Sequence, residues 1–420
     1  MSPKPFSIAG SPVVDTPQPA RNTRGIALLL AALSSLGPFS IDAYLPSFPH
    51  IAASLQATPL QVQQTLSAYL FAFAAMTLWH GAISDRFGRR RVIIAALALF
   101  GLASAGCAVA TRIELLWFWR AMQGVTAGAG IVIGRAIVRD LYDGPAAQRL
   151  MAQITMMFAL APAMAPVIGG WLQTLFGWRS VFVFLVVSTA VLALACWKLL
   201  PETLPPEKRQ SLRPAYLGRT YWKVMTSPPF LFACAALSLN FAGFFIYVLS
   251  APVFLMKHLG LSETSFLWLF GPAMFGLMGG STLSGRLAGR LSLHRTILIG
   301  YLIMGTAALT NIGINLAMPP GIPWSIVPIF MYTLGMSTAM PCLTILALDP
   351  FPAQRGLAAS CQTFFQSGFN GLAAAVIAPA LWGSTLTMAF GMAGLMLLGA
   401  AASFSHRRHH PAPEKTPAKA

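Results

Sequence analysis

Long apolar segments and short polar segments alternate along almost the whole chain. Each apolar segment is about 20 residues long with few or no charges, a length that crosses ~30 Å of hydrocarbon as a helix. In the first half, the pattern predicts spans at residues 24–46, 61–82, 92–111, 113–134, 151–171 and 179–199. In the second half, it predicts spans at residues 228–251, 264–284, 296–317, 324–347, 356–380 and 383–405. The sequence therefore predicts an all-α membrane protein with twelve transmembrane helices.

The longest polar interval divides the predicted spans into two groups of six. A short repeat supports this division, because ISDRFGRR at 83–90 aligns without a gap with LSGRLAGR at 283–290. Both segments follow the second span of their half, as in transporters built from two related bundles around a central cavity. We therefore predict two pseudo-symmetric six-helix bundles. The predicted units are an N-terminal tail at 1–23, bundles at 24–199 and 228–405, a linker at 200–227 and a C-terminal tail at 406–420.

Lysine and arginine are concentrated on one side of the predicted membrane. Of the 28 residues, Arg112, Arg179 and Lys257 fall in loops on the far side and Arg120 falls within a span, which leaves 24 on the N-terminal side. By the positive-inside rule, both termini are cytoplasmic. The rule also accounts for the net charge of +17, so we exclude nucleic acid as a partner. The first 22 residues lack the apolar core of a signal peptide, and we expect the first span to be retained.

The composition favours transport over catalysis. The chain is 56% apolar and only 9% charged, with a mean hydropathy of +0.67. The five cysteines are isolated, so neither a disulfide framework, a metal site nor a cofactor is predicted. The predicted external loops are short and nearly uncharged, which argues against a membrane enzyme with metal-binding or nucleophilic groups. Two non-identical bundles also suit alternating access better than a channel.

Asp42 is the one acidic residue that falls inside a predicted span. The other ten of the 11 acidic residues lie in tails, loops or span ends. A charged carboxylate in hydrocarbon costs at least ~2.5 kcal/mol, and such residues usually mark an ion or substrate path. Two readings remain open: the first helix ends near Ala43 and leaves Asp42 at the interface, or it continues toward His50 and places Asp42 well inside.

Arg120 is the basic residue deepest in a predicted span. It follows Arg112, at the outer end of its span, by eight residues, which would place it at about the depth of Asp42 if the first helix continues. A buried pair of the two would moderate both desolvation costs. The alternative is that Arg120 extends its side chain to the membrane surface.

Further polar residues within the spans are candidates for the lining of a substrate cavity. They are Tyr44, Gln64, Tyr69, Gln123, Asn240, Tyr247, Gln362 and Gln366. The alternative is that they form hydrogen bonds between helices. APAMAPVIGG, at 161–170, places two prolines within one span and predicts a hinge or a packing seam.

Several motifs show that the chain resembles the major facilitator superfamily over essentially its whole length. GAISDRFGRRR at 81–91 is similar to motif A of that superfamily, G-x-L-x-D-R-x-G-R-K/R, with Ile83 in place of leucine. RAMQG at 120–124 is similar to motif B, R-x-x-Q-G, of the proton-coupled members. APAMAPVIGG resembles the antiporter motif C, with Ala161 and Ala165 at its first two glycine positions.

Within the superfamily, the chain resembles the twelve-span drug:proton antiporters of the Bcr/CflA (bicyclomycin and chloramphenicol resistance) subfamily. Further matching segments are IDAYLPSFP at 41–49, RAIVRDLY at 135–142, GWRSVF at 177–182 and LPETL at 200–204. The resemblance implies efflux of small amphipathic drugs across the bacterial inner membrane, driven by proton entry through alternating access. An exporter of a metabolite, an amino acid or a sugar, on the same fold is the alternative. We expect the chain to act as a monomer in the bilayer.

The resemblance also implies roles for individual residues. Asp42 and Arg120 would couple transport to protons. A conformational latch would be formed by Gly81, Asp85, Arg86, Gly88, Arg89, Arg90, Arg139 and Asp140. An antiporter hinge would be formed by Ala161, Pro162, Ala165, Pro166, Gly169 and Gly170.

Overall fold

The computed structural model describes residues 23–142, 144–209 and 214–409, and these ranges contain helices but no strands. The first half contains α1 (Thr23–Asp42), α2 (Phe48–Ser54), α3 (Pro59–Thr77), α4 (His80–Phe87), α5 (Arg89–Ala108), α6 (Ile113–Ala127), α7 (Ala129–Leu141), α8 (Gly144–Phe176) and α9 (Arg179–Leu199). The second half contains α10 (Pro214–Met225), α11 (Pro228–Leu249), α12 (Leu267–Leu287), α13 (Leu293–Ala317), α14 (Val327–Leu348), α15 (Arg355–Leu372), α16 (Ala378–Ala380) and α17 (Thr385–His409). The predicted tails lie largely outside the described residues.

Local sequence signals explain where several helices begin. Thr58 caps α3: its hydroxyl accepts a hydrogen bond from the Gln61 backbone N–H at 3.2 Å, and the Gln61 side chain accepts one from the Thr58 N–H at 2.8 Å. Pro59 occupies the first turn, where a missing N–H costs nothing. Ser292 caps α13 in a similar way, with its hydroxyl accepting from the Arg295 N–H.

Most of the predicted spans appear as long apolar helices. In the described residues, eight helical segments are long and apolar enough to cross a membrane, and α3 with α4, bent by 51°, would make a ninth. The predicted fifth, eighth and eleventh spans fall on α8, α12 and α15. These helices contain internal prolines (α8 and α12) or many polar residues (α15), and α15 passes into a π-helical segment at Ala373–Ile377. The count of twelve therefore remains a prediction, whereas the all-helical membrane fold is confirmed.

The helices form two groups that meet along two seams. Helices α1 to α9 pack mainly on one another, as do α11 to α17. Between the groups, α3 packs on α15 and its π-helical continuation, and α8 packs on α12. If span n of the first half corresponds to span n+6 of the second, the pseudo-symmetry exchanges these two seams. The repeat at 83–90 and 283–290 fits this relation, because each copy lies at the end of a predicted span whose helix packs in a seam.

The linker helix α10 is attached to both groups. It packs on α15, and the Tyr221 hydroxyl donates a hydrogen bond to the backbone carbonyl of Leu78. Leu78 lies in the break between α3 and α4, where the regular pattern of backbone hydrogen bonds is interrupted. The linker thus supplies a partner at the point where the second span bends.

Small residues allow two helices of the second group to touch through their backbones. A Cβ atom added to Gly280, on α12, would collide with the Leu334 carbonyl oxygen of α14, and one added to Gly276 would lie 2.5 Å from the Phe330 carbonyl oxygen. Gly285 and Gly289 have the same spacing in the sequence, yet nothing lies within 4 Å of the position that a Cβ atom on Gly285 would take. On α12, the GxxxG spacing therefore marks a close helix contact at Gly276 and Gly280 but not at Gly285 and Gly289.

This difference predicts a contrast between two substitutions on α12. Gly280→Leu should lower the thermal unfolding temperature of the purified protein, because overpacking a tight contact typically costs ~1–3 kcal/mol. Gly285→Leu places the same side chain on an exposed position of the same helix and should leave that temperature nearly unchanged. The measurement is unfolding in detergent followed by tryptophan fluorescence, and equal effects of the two changes would contradict the predicted packing.

Candidate functional site in the first bundle

Asp42 is the last residue of α1, and the chain beyond it stays helical. A turn leads to a 3-10 helix at Leu45–Ser47 and then to α2, which ends at Ser54. Pro46 explains the interruption, because it has no N–H to donate to the Asp42 carbonyl and its ring would clash with that group. The regular helix therefore stops close to the earlier of the two predicted positions. Asp42 is nevertheless only 4% exposed, so protein atoms cover it almost completely.

Arg120 is fully buried within the first bundle. Its Nη1 donates to the Ser40 carbonyl oxygen at 3.2 Å and to the Gln123 Oε1 at 2.7 Å. The guanidinium carbon also lies 4.2 Å from the ring centre of Tyr44 and 4.6 Å from that of Tyr69, distances typical of cation–π contacts. Since the side chain has no exposed surface, it does not reach the membrane surface as the alternative reading required.

Asp42 and Arg120 lie near each other without a direct ion pair. Arg120 contacts the backbone of Ser40, two residues before Asp42, but no nitrogen–oxygen pair within 4.0 Å joins the two side chains in the described part of the chain. Asp42 Oδ1 has no hydrogen-bond partner, and neither do Nε and Nη2 of Arg120. The ion pair between Asp42 and Arg120 is therefore not formed, because the guanidinium of Arg120 contacts two tyrosine rings, a carbonyl and an amide instead.

Polar side chains from four helices surround this pair. Gln123 donates to the Ser104 hydroxyl at 2.7 Å, and the Ser40 hydroxyl donates to the Tyr69 hydroxyl at 3.0 Å. Tyr44 is hydrogen-bonded to Thr65. The structure thus brings together five of the predicted residues, namely Asp42, Tyr44, Tyr69, Arg120 and Gln123. The sequence reasoning did not single out Ser40, Thr65 or Ser104, although a polar residue inside a predicted span was a signal that applied to each.

The other predicted cavity residues lie apart from this cluster. Asn240 and Tyr247 are each 1% exposed and are held by hydrogen bonds between helices, to Tyr301 at 2.8 Å and from Asn311 at 2.7 Å. Both side chains pack inside the second bundle rather than lining an open surface. In this apolar interior, they find hydrogen-bond partners in other polar side chains. Gln64 donates to the Ala375 carbonyl at the seam, at 3.1 Å. Gln362 and Gln366 are half-buried.

The predicted latch is centred on Arg89, at the start of α5. Arg89 forms an ion pair with Asp85 one turn earlier and with Asp140 of α7 at 3.2 Å, and it donates to the Ser84 hydroxyl at 2.6 Å. The i,i+4 spacing brings Arg89 to Asp85, whereas Arg139, another predicted latch residue, is exposed.

The remaining latch residues lie around this centre. Arg90 donates to the Trp197 carbonyl oxygen, and the guanidinium of Arg86 lies 5.2 Å from the ring centre of Phe87. Gly81 packs loosely, since a Cβ atom there would lie 3.9 Å from the Val132 side chain.

Gly88 and Glu202 form the tightest point of the latch. The φ of Gly88 is 97° and its ψ is 147°, a region that is essentially restricted to glycine. Glu202 Oε1 accepts a hydrogen bond from the Arg89 backbone N–H at 2.8 Å and so caps α5. A Cβ atom on Gly88 would collide with that carboxylate. Glu202 lies in the LPETL segment, which supports the family resemblance but for which the sequence predicts no role.

The predicted hinge residues form a seam between helices. Ala161, Ala165 and Gly169 are buried at four-residue intervals on α8, which places them on one face. Gly169 lies against the backbone of Ala43, next to Asp42, where any side chain would clash. The neighbouring Gly170 lies against the backbone of Glu263 in the second bundle, at 2.5 Å from the position that a Cβ atom would take. Pro162 and Pro166 are inside the helix.

Comparison with known proteins identifies the family. The family model described as Major Facilitator Superfamily matches residues 28–375. The chain belongs to the major facilitator superfamily. It is 32% identical to an uncharacterized MFS-type transporter, YdgK, of Bacillus subtilis over 77% of this chain and 81% of the relative. It is 28% identical to the multidrug resistance protein D of Escherichia coli over 89% of this chain and 94% of the relative.

Other relatives agree with the resemblance seen in the motifs. The bicyclomycin resistance protein homolog of Haemophilus influenzae is 29% identical over 66% of this chain and 69% of the relative. A D-xylose-proton symporter structure, 15% identical, superposes with a TM-score of 0.73 over 92% of this chain and 98% of that chain. A bacterial homolog of the human lysosomal transporter Spinster, in an inward-facing conformation, has a TM-score of 0.70 at 15% identity over 94% of this chain and all of that chain. These structures share the superfamily fold.

The strained glycine in the latch predicts the effect of one methyl group. Gly88→Ala should lower the thermal unfolding temperature, because it combines ~1–3 kcal/mol of backbone strain with a collision against Glu202. The control is Gly177→Ala: Gly177 has a φ of 78°, and nothing lies within 4 Å of its Cβ position. Its replacement should cost less. In the Glu202→Ala background, the Gly88→Ala penalty should shrink toward that of the control, and an unchanged penalty would contradict the collision.

Proposed function

We propose that the chain exports small amphipathic drugs in exchange for protons by alternating access between its two helical bundles. The observation that carries the proposal is a buried carboxylate without a partner, Asp42, beside the fully buried guanidinium of Arg120. The relatives named for bicyclomycin resistance and multidrug resistance support the drug as cargo.

In this mechanism, Asp42 takes up a proton and releases it during each cycle. An ionised carboxylate that is buried without a partner is costly, and protonation removes that cost. The unpaired nitrogens of Arg120 can stabilise the carboxylate when the proton leaves, after a small side-chain movement. Gly169 on the hinge helix α8 contacts the backbone next to Asp42, so bending of α8 would reach the site directly. We therefore propose that the two residues couple proton movement to the hinge.

The contacts between the bundles suggest which state the structure represents. His50 pairs with Glu263, and Gly170 lies against the Glu263 backbone. Gln64, near the start of α3, bonds to Ala375 of the second bundle. These contacts join the bundles at the end where α2 lies. By the distribution of lysine and arginine this end is external, so we propose an inward-facing state.

The same charge distribution supports the remaining assignments. We propose a location in the bacterial inner membrane with both termini cytoplasmic, since 24 of 28 basic residues then lie on the cytoplasmic side. We also propose that the functional units are the bundles at 24–199 and 228–405, joined by the linker at 200–227. The protein would act as a monomer, with one proton site in each chain.

The central test removes the charge at Asp42. Asp42→Asn should reduce drug efflux to the level of cells without the protein, because the amide cannot exchange a proton. Efflux is measured as accumulation of a fluorescent drug in cells with and without a protonophore, after confirming equal amounts of protein in the membrane. Asp349→Asn, an exposed carboxylate 3.9 Å from Arg355, is the matched control and should behave as wild type.

Two results would overturn the proposal. Gradient-dependent efflux by Asp42→Asn would remove this residue from the mechanism. If the wild-type protein exported no drug in a broad panel but moved an amino acid or a sugar, the metabolite exporter would replace the drug exporter.

The latch predicts a separate kinetic effect. Asp85→Asn should lower the transport rate by ~2–5-fold, since a partly exposed ion pair contributes up to ~1 kcal/mol and Arg89 keeps its contact with Asp140. Drug affinity in a direct binding assay should not change. Arg91→Gln, at an exposed arginine beside the same loop that is not assigned to the latch, is the control for charge alone and should keep the wild-type rate. A loss of affinity without a loss of rate would contradict the assignment.

A further inference from the structure

A cavity of about 310 Å³ lies between the two bundles, next to the Asp42 and Arg120 cluster, since the ring of its lining residue Phe48 lies 4.9 Å from that of Tyr44. It is bordered by α2 and the start of α3 on one side, and by the end of α11 and the following π-helical turn, Pro252–His258, on the other. None of its lining residues belongs to the cluster around Arg120. Its volume is at the lower end of the range for small-molecule sites.

The walls of the cavity are mostly apolar. The side chains that form them include Phe48, Ala52, Val62, Val253, Met256 and Trp382. Four of the cavity's lining residues belong to the π-helical turn, and such turns often occur at functional sites because they shift side chains out of helical register. An apolar body would lose contact with water by entering this space.

Gln63 gives the cavity a polar point of attachment. It is 0% exposed, it borders the cavity, and both its amide nitrogen and its amide oxygen lack a hydrogen-bond partner. Its neighbours differ, since the side chain of Gln61 caps α3 and that of Gln64 bonds to Ala375. A buried amide with neither group satisfied is energetically costly, so a bound molecule that bonds to it would recover part of that cost.

Lys257 gives the cavity a positive charge. It is exposed, borders the cavity, and has no carboxylate within 4.0 Å in the described ranges. The ionisable groups that follow it in the sequence have other partners: Glu263 is paired with His50, and His258 is hydrogen-bonded to the Trp382 carbonyl at 3.1 Å. The ligand that matches this cavity therefore carries an anionic group.

We propose that this cavity is a binding site for a small amphipathic anion, separate from the proton-coupled site. The apolar body lies between Phe48 and Trp382, a polar group bonds to the Gln63 amide once that side chain turns toward the cavity, and the anionic group lies at Lys257. A whole phospholipid is too large for the space. The anion is either a soluble carboxylate, sulfonate or phosphate compound or the head of a single-chain anionic lipid.

The test uses the full-length protein in phosphatidylcholine nanodiscs and measures binding by calorimetry. The probes are 2-naphthalenesulfonate and the neutral 2-naphthalenemethanol. Lys257→Gln should weaken sulfonate binding about threefold or more, as expected for loss of an exposed charge contact, and leave the neutral compound unaffected. Arg112→Gln, an exposed cation on the same proposed external side, is the matched control and should change neither affinity. Ala52→Trp should abolish binding of both probes, because it fills the cavity.

Several outcomes decide the proposal. It is overturned if wild-type protein binds neither probe, if Lys257→Gln and Arg112→Gln have equal effects, or if Ala52→Trp leaves both affinities unchanged. Competition by lysophosphatidylglycerol, at a concentration that leaves the nanodiscs intact, would assign the anion to a lipid, and its absence would assign a soluble compound. Asp42→Asn should bind both probes normally, so a failure of drug efflux and a failure of this site are distinguishable.

Discussion

A polar group that loses water inside a membrane must find another partner, and this constraint shapes most of the molecule. The backbone satisfies it by forming helices over most of the described residues. Where the helices bend, partners come from elsewhere, as when Tyr221 donates to the Leu78 carbonyl. Arg120 meets the same requirement with a carbonyl, an amide and two tyrosine rings. Asp42 Oδ1 and the Gln63 amide are among the buried groups that remain without a partner, and each lies at a site that we propose to be functional.

The long apolar helices were predictable because hydropathy reports directly on burial in hydrocarbon. The spans that hydropathy alone does not identify depend more on packing between helices. In α12, Gly276 and Gly280 reduce the apolar side-chain surface but let the helix touch α14 through its backbone. No hydropathy pattern shows this contact, and the identical spacing at Gly285 and Gly289 lacks it.

Five members of the candidate site were predictable, but its contacts were not. The position of Asp42 inside a span followed from the sequence, whereas the stop of α1 at this residue depends on where Pro46 blocks the helix. The choice between a cavity and a packing role for Asn240 depended on whether Tyr301 lies within reach, which is a matter of tertiary structure. Glu202 is similar: it is 113 residues from Arg89 in sequence, and only the fold brings its carboxylate to the start of α5.

The contact between Tyr221 and Leu78 has a consequence for the modularity of the protein. Two bundles of related design, joined by a polar linker, look like units that could be exchanged between relatives. However, the linker helix α10 packs on α15 of one bundle and completes the bend between α3 and α4 of the other. A bundle transplanted with a foreign linker would lose this hydroxyl and leave a backbone carbonyl unpaired. The natural unit of exchange is therefore a bundle together with its linker.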